Sequence, residues 1–325
     1  KKFKIFSTVF DMLIGTINAL RIMRSTNICI LHIRGYIPML IALPLKLFFS
    51  HKIIFDMRGF WPDEKADRAG WSRSGIVYKS FKLLEKKFIY YSDAIVVLTD
   101  ESKEIILSKF LIKKTSQVTV IPTCVDLKLF DHSQFPKYDA SPPIINIASL
   151  GSVDTAYDIN PVMDFFHNFL KYEKGNLIFF NQDSHELITS KAKEFNIPVS
   201  NIKIQSINRN QIPAAIAQID VGIFYLKNNY SIKASMPTKI GESLSMGKPF
   251  ICNNFNKDIE SMIGNNKVGF LHDFDESLKN KTIQELKDLV FNQSTPSNCL
   301  QFASTYFSLQ EGSNRYLEIY SELLS

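Results

Sequence analysis

Four stretches of the chain combine charged, aromatic and glycine residues in ways that could do chemistry. The richest is 231–254, Ser-Ile-Lys-Ala-Ser-Met-Pro-Thr-Lys-Ile-Gly-Glu-Ser-Leu-Ser-Met-Gly-Lys-Pro-Phe-Ile-Cys-Asn-Asn. Pro237 suits the first turn of a helix, where its missing N–H costs nothing. Gly247 suits the left-handed position just past the helix end. Ile240 and Leu244, four apart, would pack inward, and Lys239 and Glu242, three apart, share the opposite face. The N–H groups and dipole of such a helix start can hold phosphates, with Lys239 adding charge and Glu242 accepting hydrogen bonds from hydroxyls. The same spacing also describes a surface helix with a solvated Lys/Glu pair.

The second stretch is 56–73, which holds both tryptophans together with Arg58, Asp63, Glu64 and Arg68. Arg58 could clamp a phosphate, or pair with Asp63 or Glu64. The third, 32–38, puts His32 and Arg34 at the end of an apolar run, where a histidine serves either as a base or as a packed, hydrogen-bonded residue. The fourth, 150–160, has the single glycine Gly151 followed by Ser152. It lacks the Gly-x-Gly-x-x-Gly of dinucleotide binders, so no nicotinamide cofactor is expected, yet Gly151 and Ser152 could let backbone approach a phosphate. The loop 225–236 adds Lys227 and Lys233. Asp273-Phe-Asp275, beside Glu276, has a metal-binding look, but aspartate there is equally a helix cap. No His/Cys cluster supports zinc and no Gly-x-Ser-x-Gly elbow supports a serine hydrolase. No metal or other cofactor is expected.

The elements that must position these residues alternate. Short apolar runs at 28–33, 52–56, 94–98 and 118–121 predict strands, with helices at 37–49, 74–91 and 101–110. Residues 56–73 read as a long loop. Nearly continuous apolar strands alternating with helices predict a parallel sheet buried on both faces. Pro122, Pro136, Ser141, Pro142 and Pro143 interrupt the rhythm and predict a domain boundary. Alternation then resumes, with strands at 144–149, 176–180, 202–204, 220–224, 249–251 and 268–271. The helices between them are placed at 161–171, 184–195, 209–218, 237–246 and 257–263. Asn160-Pro161 marks a helix start. Helices at 276–291, 297–304 and 309–324 follow, the last behind a capping box at Ser308–Glu311. The expectation is two doubly wound α/β domains in tandem, with ligands at the carboxyl ends of the strands.

A chain of 325 residues with 45% hydrophobic and 22% charged residues accommodates two domains. Residues 1–140 hold 22 Lys+Arg against 13 Asp+Glu, a net +9, whereas 141–325 hold 16 against 19, a net −3. The basic half suits an anionic partner, a membrane surface or a phosphorylated substrate, unless its charges merely solvate helices. Nucleic acid is not expected, because no dense basic run or reader motif occurs. Cys29, Cys124, Cys252 and Cys299 are far apart, and no signal peptide is visible, so a reducing cytoplasm is the default. The apolar window 27–49 is interrupted by His32, Arg34, Pro38, Pro44 and Lys46, too often for a spanning helix. The chain opens inside what reads as a long amphipathic helix, so an upstream portion is expected.

Taken in order, five pieces resemble a known family. They are Phe55-Asp-Met-Arg-Gly-Phe-Trp-Pro-Asp-Glu64; Ser92-Asp-Ala-Ile-Val-Val-Leu-Thr99; Val120-Ile-Pro-Thr-Cys-Val-Asp126 with Phe130; Ser149-Leu-Gly-Ser152 with Tyr157; and Ser235-Met-Pro-Thr-Lys-Ile-Gly-Glu242 with Gly247-Lys-Pro249. From about residue 28 to its end the chain resembles the family-4 retaining glycosyltransferases of the GT-B fold, in particular those of bacterial polysaccharide and lipopolysaccharide synthesis.

The resemblance implies two Rossmann-like domains facing a cleft. An acceptor-binding domain over 1–140, N-terminally incomplete, would be joined by the C-terminal helix 308–325, and a donor-binding domain would span 141–307. It implies transfer of a sugar from a UDP- or GDP-sugar to a glycan or lipid-linked acceptor, without metal, in the cytoplasm or peripherally at the inner membrane face. Donor binding would fall to Gly151, Ser152, Tyr157, Thr238, Lys239 and Glu242. Arg58 and Lys239 would stabilise the leaving diphosphate, and His32, Arg34, Trp61, Asp63 and Glu64 would serve the acceptor side. Glu242 matches the second glutamate of the family's Glu-x7-Glu pair. Ala234 stands where the first would be, and the usual Arg and Lys of the second domain's first turn are absent from 151–160. Two alternatives stay open: a nucleotide-sugar 2-epimerase of the same fold, although its Arg-Glu-Thr and Arg-Pro-Glu segments are absent, and a non-catalytic donor-binding remnant.

Overall fold

The computed structural model describes residues 2–135, 144–153, 155–182, 184–274 and 278–325, with side chains from Phe10 onward. The chain divides into two compact units, Lys1–Ile121 with Lys233–Ser235 and Ser313–Ser325, and Pro122–Ile232 with Met236–Gly312.

The first unit holds four parallel strands in the order β1-β2-β3-β4: β1 Ile30–Arg34, β2 Lys52–Asp56, β3 Ala94–Val97 and β4 Gln117–Val120. Helices α1 (Lys2–Ser25), α2 (Tyr36–Leu45), α3 (Trp61–Arg68), α4 (Ile76–Tyr91) and α5 (Asp100–Lys109) accompany them. Ile53, Ile54, Phe55 and all of β3 are buried, as expected of strands covered on both faces. Asp93 locks the start of the sheet, accepting from the Ile53 N–H at 2.8 Å and from Lys46 Nζ at 2.7 Å. The register pairs Arg34 with Asp56, so the charged carboxyl ends of β1 and β2 lie side by side.

The second unit carries six parallel strands: β5 Ile145–Leu150, β6 Gly175–Phe180, β7 Ile202–Gln205, β8 Val221–Ile223, β9 Phe250–Cys252 and β10 Gly269–Leu271. Their order is β10-β9-β8-β5-β6-β7, so the winding reverses between β5 and β8. A crevice at the carboxyl ends of the strands opens at such a reversal. Helices α6 (Ile159–Phe169), α7 (His185–Glu194), α8 (Ile212–Ala217), α9 (Thr238–Ser245), α10 (Lys257–Asn266), α11 (Asn280–Phe291) and α12 (Thr295–Phe302) complete the unit, and α13 (Leu309–Leu324) begins in it. The chain's many phenylalanines build its core: Phe165, Phe166, Phe169 and Phe179 are fully buried together with Ile147, Leu177 and Tyr225.

Several boundaries move from those expected. Residues 56–73 are not one loop. Trp61–Arg68 is helical, started by Pro62 and by Asp63 and Glu64 in its first turn, where carboxylates favour the dipole. The helix expected over 37–49 stops at Leu45, one residue after Pro44. The start of α6 is capped by Asp158, which accepts from the Asn160 N–H at 3.0 Å, rather than by Asn160. The helix expected at 209–218 is a 3-10 turn, Arg209–Gln211, followed by α8. The expected cap at Ser308 is present, its Oγ accepting from the Glu311 N–H at 3.1 Å. Pro136, Ser141, Pro142 and Pro143, together with Asp275 and Glu276, lie outside the described residues. Asp273 accepts from the Asn254 N–H at 2.9 Å.

Candidate functional site

In the second unit the residues expected around a phosphate do converge on the crevice between β5 and β8, but differently from the spacing argument. Lys239 does not reach outward into solvent. It is half-buried, and its ammonium is enclosed: Nζ donates to the Leu150 carbonyl at 2.5 Å and lies 3.4 Å from the centre of the Tyr157 ring and 5.6 Å from that of Phe224. A cation over an aromatic face is attracted by the ring quadrupole, but this is a weak substitute for water. Burial therefore pulls the Lys239 pKa down to about 7, with Glu242 opposing the shift. Glu242 is only 6% exposed, so the solvated-pair reading is overturned for both residues. Its carboxylate accepts from Arg209 Nη1 at 3.2 Å, and burial raises its pKa against the pull of Arg209.

The backbone around these groups is tied down. Gly151 is left-handed (φ +84°), and a Cβ there would sit 4.0 Å from Lys239 Nζ. Asn181 fixes this turn, donating to the Gly151 carbonyl at 2.9 Å while its Oδ1 accepts from the Ser184 N–H at 2.6 Å. Ser152 and Thr155 share a hydrogen bond at 3.1 Å. Tyr157 pairs with Leu226 in an antiparallel bridge, which holds its ring beside the end of β8. Next to this turn, Gly151, Ser152, Asn181, Gln182, Ser184 and Arg209 line a cleft of about 290 Å³ with an apolar floor that includes Phe180 and Ile212. Thr238 and Lys239 begin α9 and their N–H groups have no intrahelical acceptors, whereas the Ile240 N–H already donates to the Pro237 carbonyl at 3.1 Å. The arrangement can hold an anion at the helix start and a flat or hydroxylated group in the cleft.

In the first unit a second polar group forms at the carboxyl ends of β1 and β2. His32 Nδ1 lies 2.7 Å from the Tyr320 hydroxyl, and its ring centre 5.0 Å from that of Tyr316. Burial lowers the His32 pKa. Asp56, 3% exposed, accepts from the Tyr316 hydroxyl at 3.2 Å and faces Arg34 Nε at 3.8 Å, and burial raises its pKa. Arg58 is exposed and left-handed, with φ +61°, a conformation uncommon for a side chain of this size. Neither alternative partner is available to it. Asp63 accepts from Tyr78 at 2.7 Å and Lys82 at 2.9 Å, while Glu64 pairs with Arg68 at 3.1 Å. Lys82 also pairs with the buried Glu85, which accepts from the Tyr36 hydroxyl at 2.6 Å. Trp61 stacks on Tyr36 with ring centres 5.7 Å apart, edge-on to Trp71 and Phe81. Trp61 and Asp63 thus belong to the packing of α3 on α4, whereas His32, Arg34 and Arg58 gather with Asp56.

Lys233 is tied to Glu101 at 2.8 Å. Sequence reasoning missed Arg209, Asn181, Asp56, Tyr316 and Tyr320. Arg209 follows the β7 strand, so the rule of strand carboxyl ends would have found it. The two tyrosines, four apart on α13, carry no such signal.

No protein-family model matches the sequence, and no match to a curated protein was found. Solved structures do match over nearly the whole chain. A glycosyltransferase from Rickettsia africae superposes with a TM-score of 0.71 at 19% identity, covering 97% of this chain and 82% of that one. A sucrose-phosphate synthase from Thermosynechococcus elongatus gives 0.69 at 13%, covering 95% and 77%. Anabaena HepE in complex with UDP gives 0.69 at 11%, covering 93% and 81%. The two-unit α/β architecture is the GT-B fold.

Proposed function

We propose that the protein is a retaining glycosyltransferase that takes a sugar from a UDP- or GDP-sugar bound in the second unit. The carrying observation is the junction of β5, β8 and α9. A buried cation, a helix start and a carboxylate held by Arg209 meet there beside a cleft of nucleoside size. UDP in the HepE complexes and UDP with a sugar in the GtfA complex support the choice of ligand.

In this reading the diphosphate lies on the first turn of α9 and takes the Lys239 ammonium. Glu242 and Arg209 receive ribose or sugar hydroxyls, and the base enters the cleft floored by Phe180 and Ile212. Retention by front-face displacement requires that the leaving diphosphate be stabilised as the glycosidic bond to it breaks. Lys239 and the helix N–H groups supply that field, preorganised and sheltered from water. Arg58 is assigned as a further cation, and its strained backbone is the reason to single it out. His32 and Arg34 are assigned to a glycan or lipid-linked acceptor, with the surplus positive charge of residues 1–140 favouring an anionic membrane surface nearby. No metal is required by this scheme, and a cytoplasmic, peripheral location fits it.

Isothermal titration with UDP and GDP tests the reading. One of them should bind, and Lys239→Ala should weaken it at least tenfold, the loss of one charge-assisted contact to phosphate. No binding of either, or an unchanged constant in Lys239→Ala, contradicts it.

A further inference from the structure

Away from the donor crevice, the second unit has another cleft, lined largely by amides. Helices that connect parallel strands run back to the amino ends of those strands. The end of α10 therefore lies across the sheet from the carboxyl ends at which the crevice opens. There Asn265, Asn266 and Lys267 meet Asn298, Gln301, Phe302 and Thr305 around a volume of about 290 Å³. The amides leave hydrogen-bonding groups open. Asn265 Nδ2 donates to Ser261 Oγ at 3.2 Å and Asn266 Nδ2 to the Met262 carbonyl at 2.9 Å, so both keep their Oδ1 oxygens as acceptors. The side chains of Asn298 and Gln301 have no hydrogen-bond partner among the described residues, and each offers two donors and an acceptor. Thr305 donates its hydroxyl to the Gln301 carbonyl at 3.1 Å and keeps its lone pairs.

Two departures from regular helix frame the cleft. Lys267 ends α10 left-handed, with φ +53°, where glycine is the ordinary choice. Ala303–Phe307, which carries Thr305, is a π turn, a rare form frequent at functional sites. Phe302, half-buried and stacked on Tyr306 with ring centres 5.3 Å apart, adds an aromatic ring. Among the described residues of the lining, Lys267 alone is charged. Paired donors and acceptors on uncharged side chains match vicinal hydroxyls, and an aromatic ring takes the apolar face of a pyranose. A phosphorylated ligand would call for more cations, and a helical peptide for an apolar groove. Gln301 also borders a second cleft, of about 340 Å³, that includes Ser245 and Ser304, so a chain of sugars can continue past it.

We propose that this cleft is a second carbohydrate site, which binds a neutral oligosaccharide outside the donor crevice. Sugar hydroxyls lie on the four amides and a pyranose packs against Phe302. The site does not depend on the donor-site reading; where that reading holds, it retains the glycan between transfers.

Saturation-transfer NMR with maltotriose, cellotriose, mannotriose and chitotriose tests the proposal, since these neutral chains differ in linkage, hydroxyl arrangement and N-acetylation. At least one should receive saturation from the unaltered protein and bind with a millimolar or tighter constant. Asn298→Ala combined with Gln301→Ala should weaken that trisaccharide at least fivefold, the loss of two hydrogen-bonding side chains. Neither side chain is buried, so the melting temperature should not change. Phe302→Leu, which keeps apolar bulk and removes the ring, should weaken it at least twofold. Lys239→Ala should bind it as the parent does.

Saturation of none of the four trisaccharides overturns the proposal. A trisaccharide bound equally well by the double variant lies elsewhere on the protein, which also overturns it. So does a loss in Lys239→Ala as large as that in the double variant, which would place the sugar in the donor crevice. Titration with UDP is independent of these results, and the donor-site reading stands or falls by it alone.

Discussion

Arg58 and Lys239 show how a single residue's surroundings decide what it can do. Arg58 holds φ +61°, and its charge offsets the burial of the Asp56 carboxylate. A left-handed conformation costs a non-glycine residue on the order of 1 kcal/mol, and glycine there would recover that at a similar cost in chain entropy. Arg58→Gly should therefore lower the melting temperature only slightly, by the charge lost beside Asp56, while sugar transfer falls at least tenfold. Retained transfer would show that the side chain has no role. Lys239 makes the opposite kind of statement. Its pKa in the fold, about 7, lies below the ordinary 10.5, so the unfolded chain binds more protons between those values. The penalty for burying it is complete below pH 7 and fades as pH rises toward 10.5. Without ligand, Lys239→Met should raise the melting temperature, and by more at pH 6 than at pH 9. Equal gains at both would mean that the ammonium is not desolvated. The type and place of both residues are visible in the sequence. The backbone angle of one and the ring over the other are tertiary facts that no spacing rule contains.

At the scale of elements, α9 carries most of the candidate donor site, and its position depends on a glycine. A Cβ on Gly241 would lie 2.7 Å from Val125 Cγ2 and 3.0 Å from the Phe307 ring, both beneath the helix. Gly241→Ala should cost about 1–3 kcal/mol by overpacking and weaken nucleotide binding as well, because α9 must shift. A variant as stable as the parent, measured by thermal unfolding, would contradict this packing account. In the first unit, Glu85 on α4 is fully buried and is held by Tyr36 and Lys82. Glu85→Ala should cost about 2–3 kcal/mol, less than a wholly buried pair because Lys82 stays one-quarter exposed. The strands were legible to within a residue or two, since apolar β-branched runs between breakers have few other readings. Helix α3 was not: Trp61–Arg68 is short and mostly charged, and its apolar side is a proline and a tryptophan whose partners, Tyr36 and Phe81, lie elsewhere in the chain.

For the whole molecule, two Rossmann-like units were legible from strand–helix alternation, and the GT-B fold from the order of the motifs. What the alternation could not supply is how the chain returns. It leaves the first unit after Ile121, revisits it at Lys233–Ser235 and re-enters for good at Ser313. The last segment brings Tyr316 to Asp56, Tyr320 to His32 and Arg315 to the Val120 carbonyl at 3.1 Å. Ending the chain at Gly312 should therefore lower the melting temperature of the first unit while nucleotide binding by the second persists. Loss of both together would mean that the second unit does not fold on its own contacts.

Everything proposed for sugar transfer by this protein depends on whether the crevice between β5 and β8 binds a nucleotide diphosphate through Lys239. The most direct measurement is isothermal titration of UDP and GDP at pH 6.5, where the ammonium is charged, with the unaltered protein and with Lys239→Met. At least one nucleotide should bind, and the variant should lose at least tenfold in affinity. Binding that is equally tight in both, or absent from both, would contradict it.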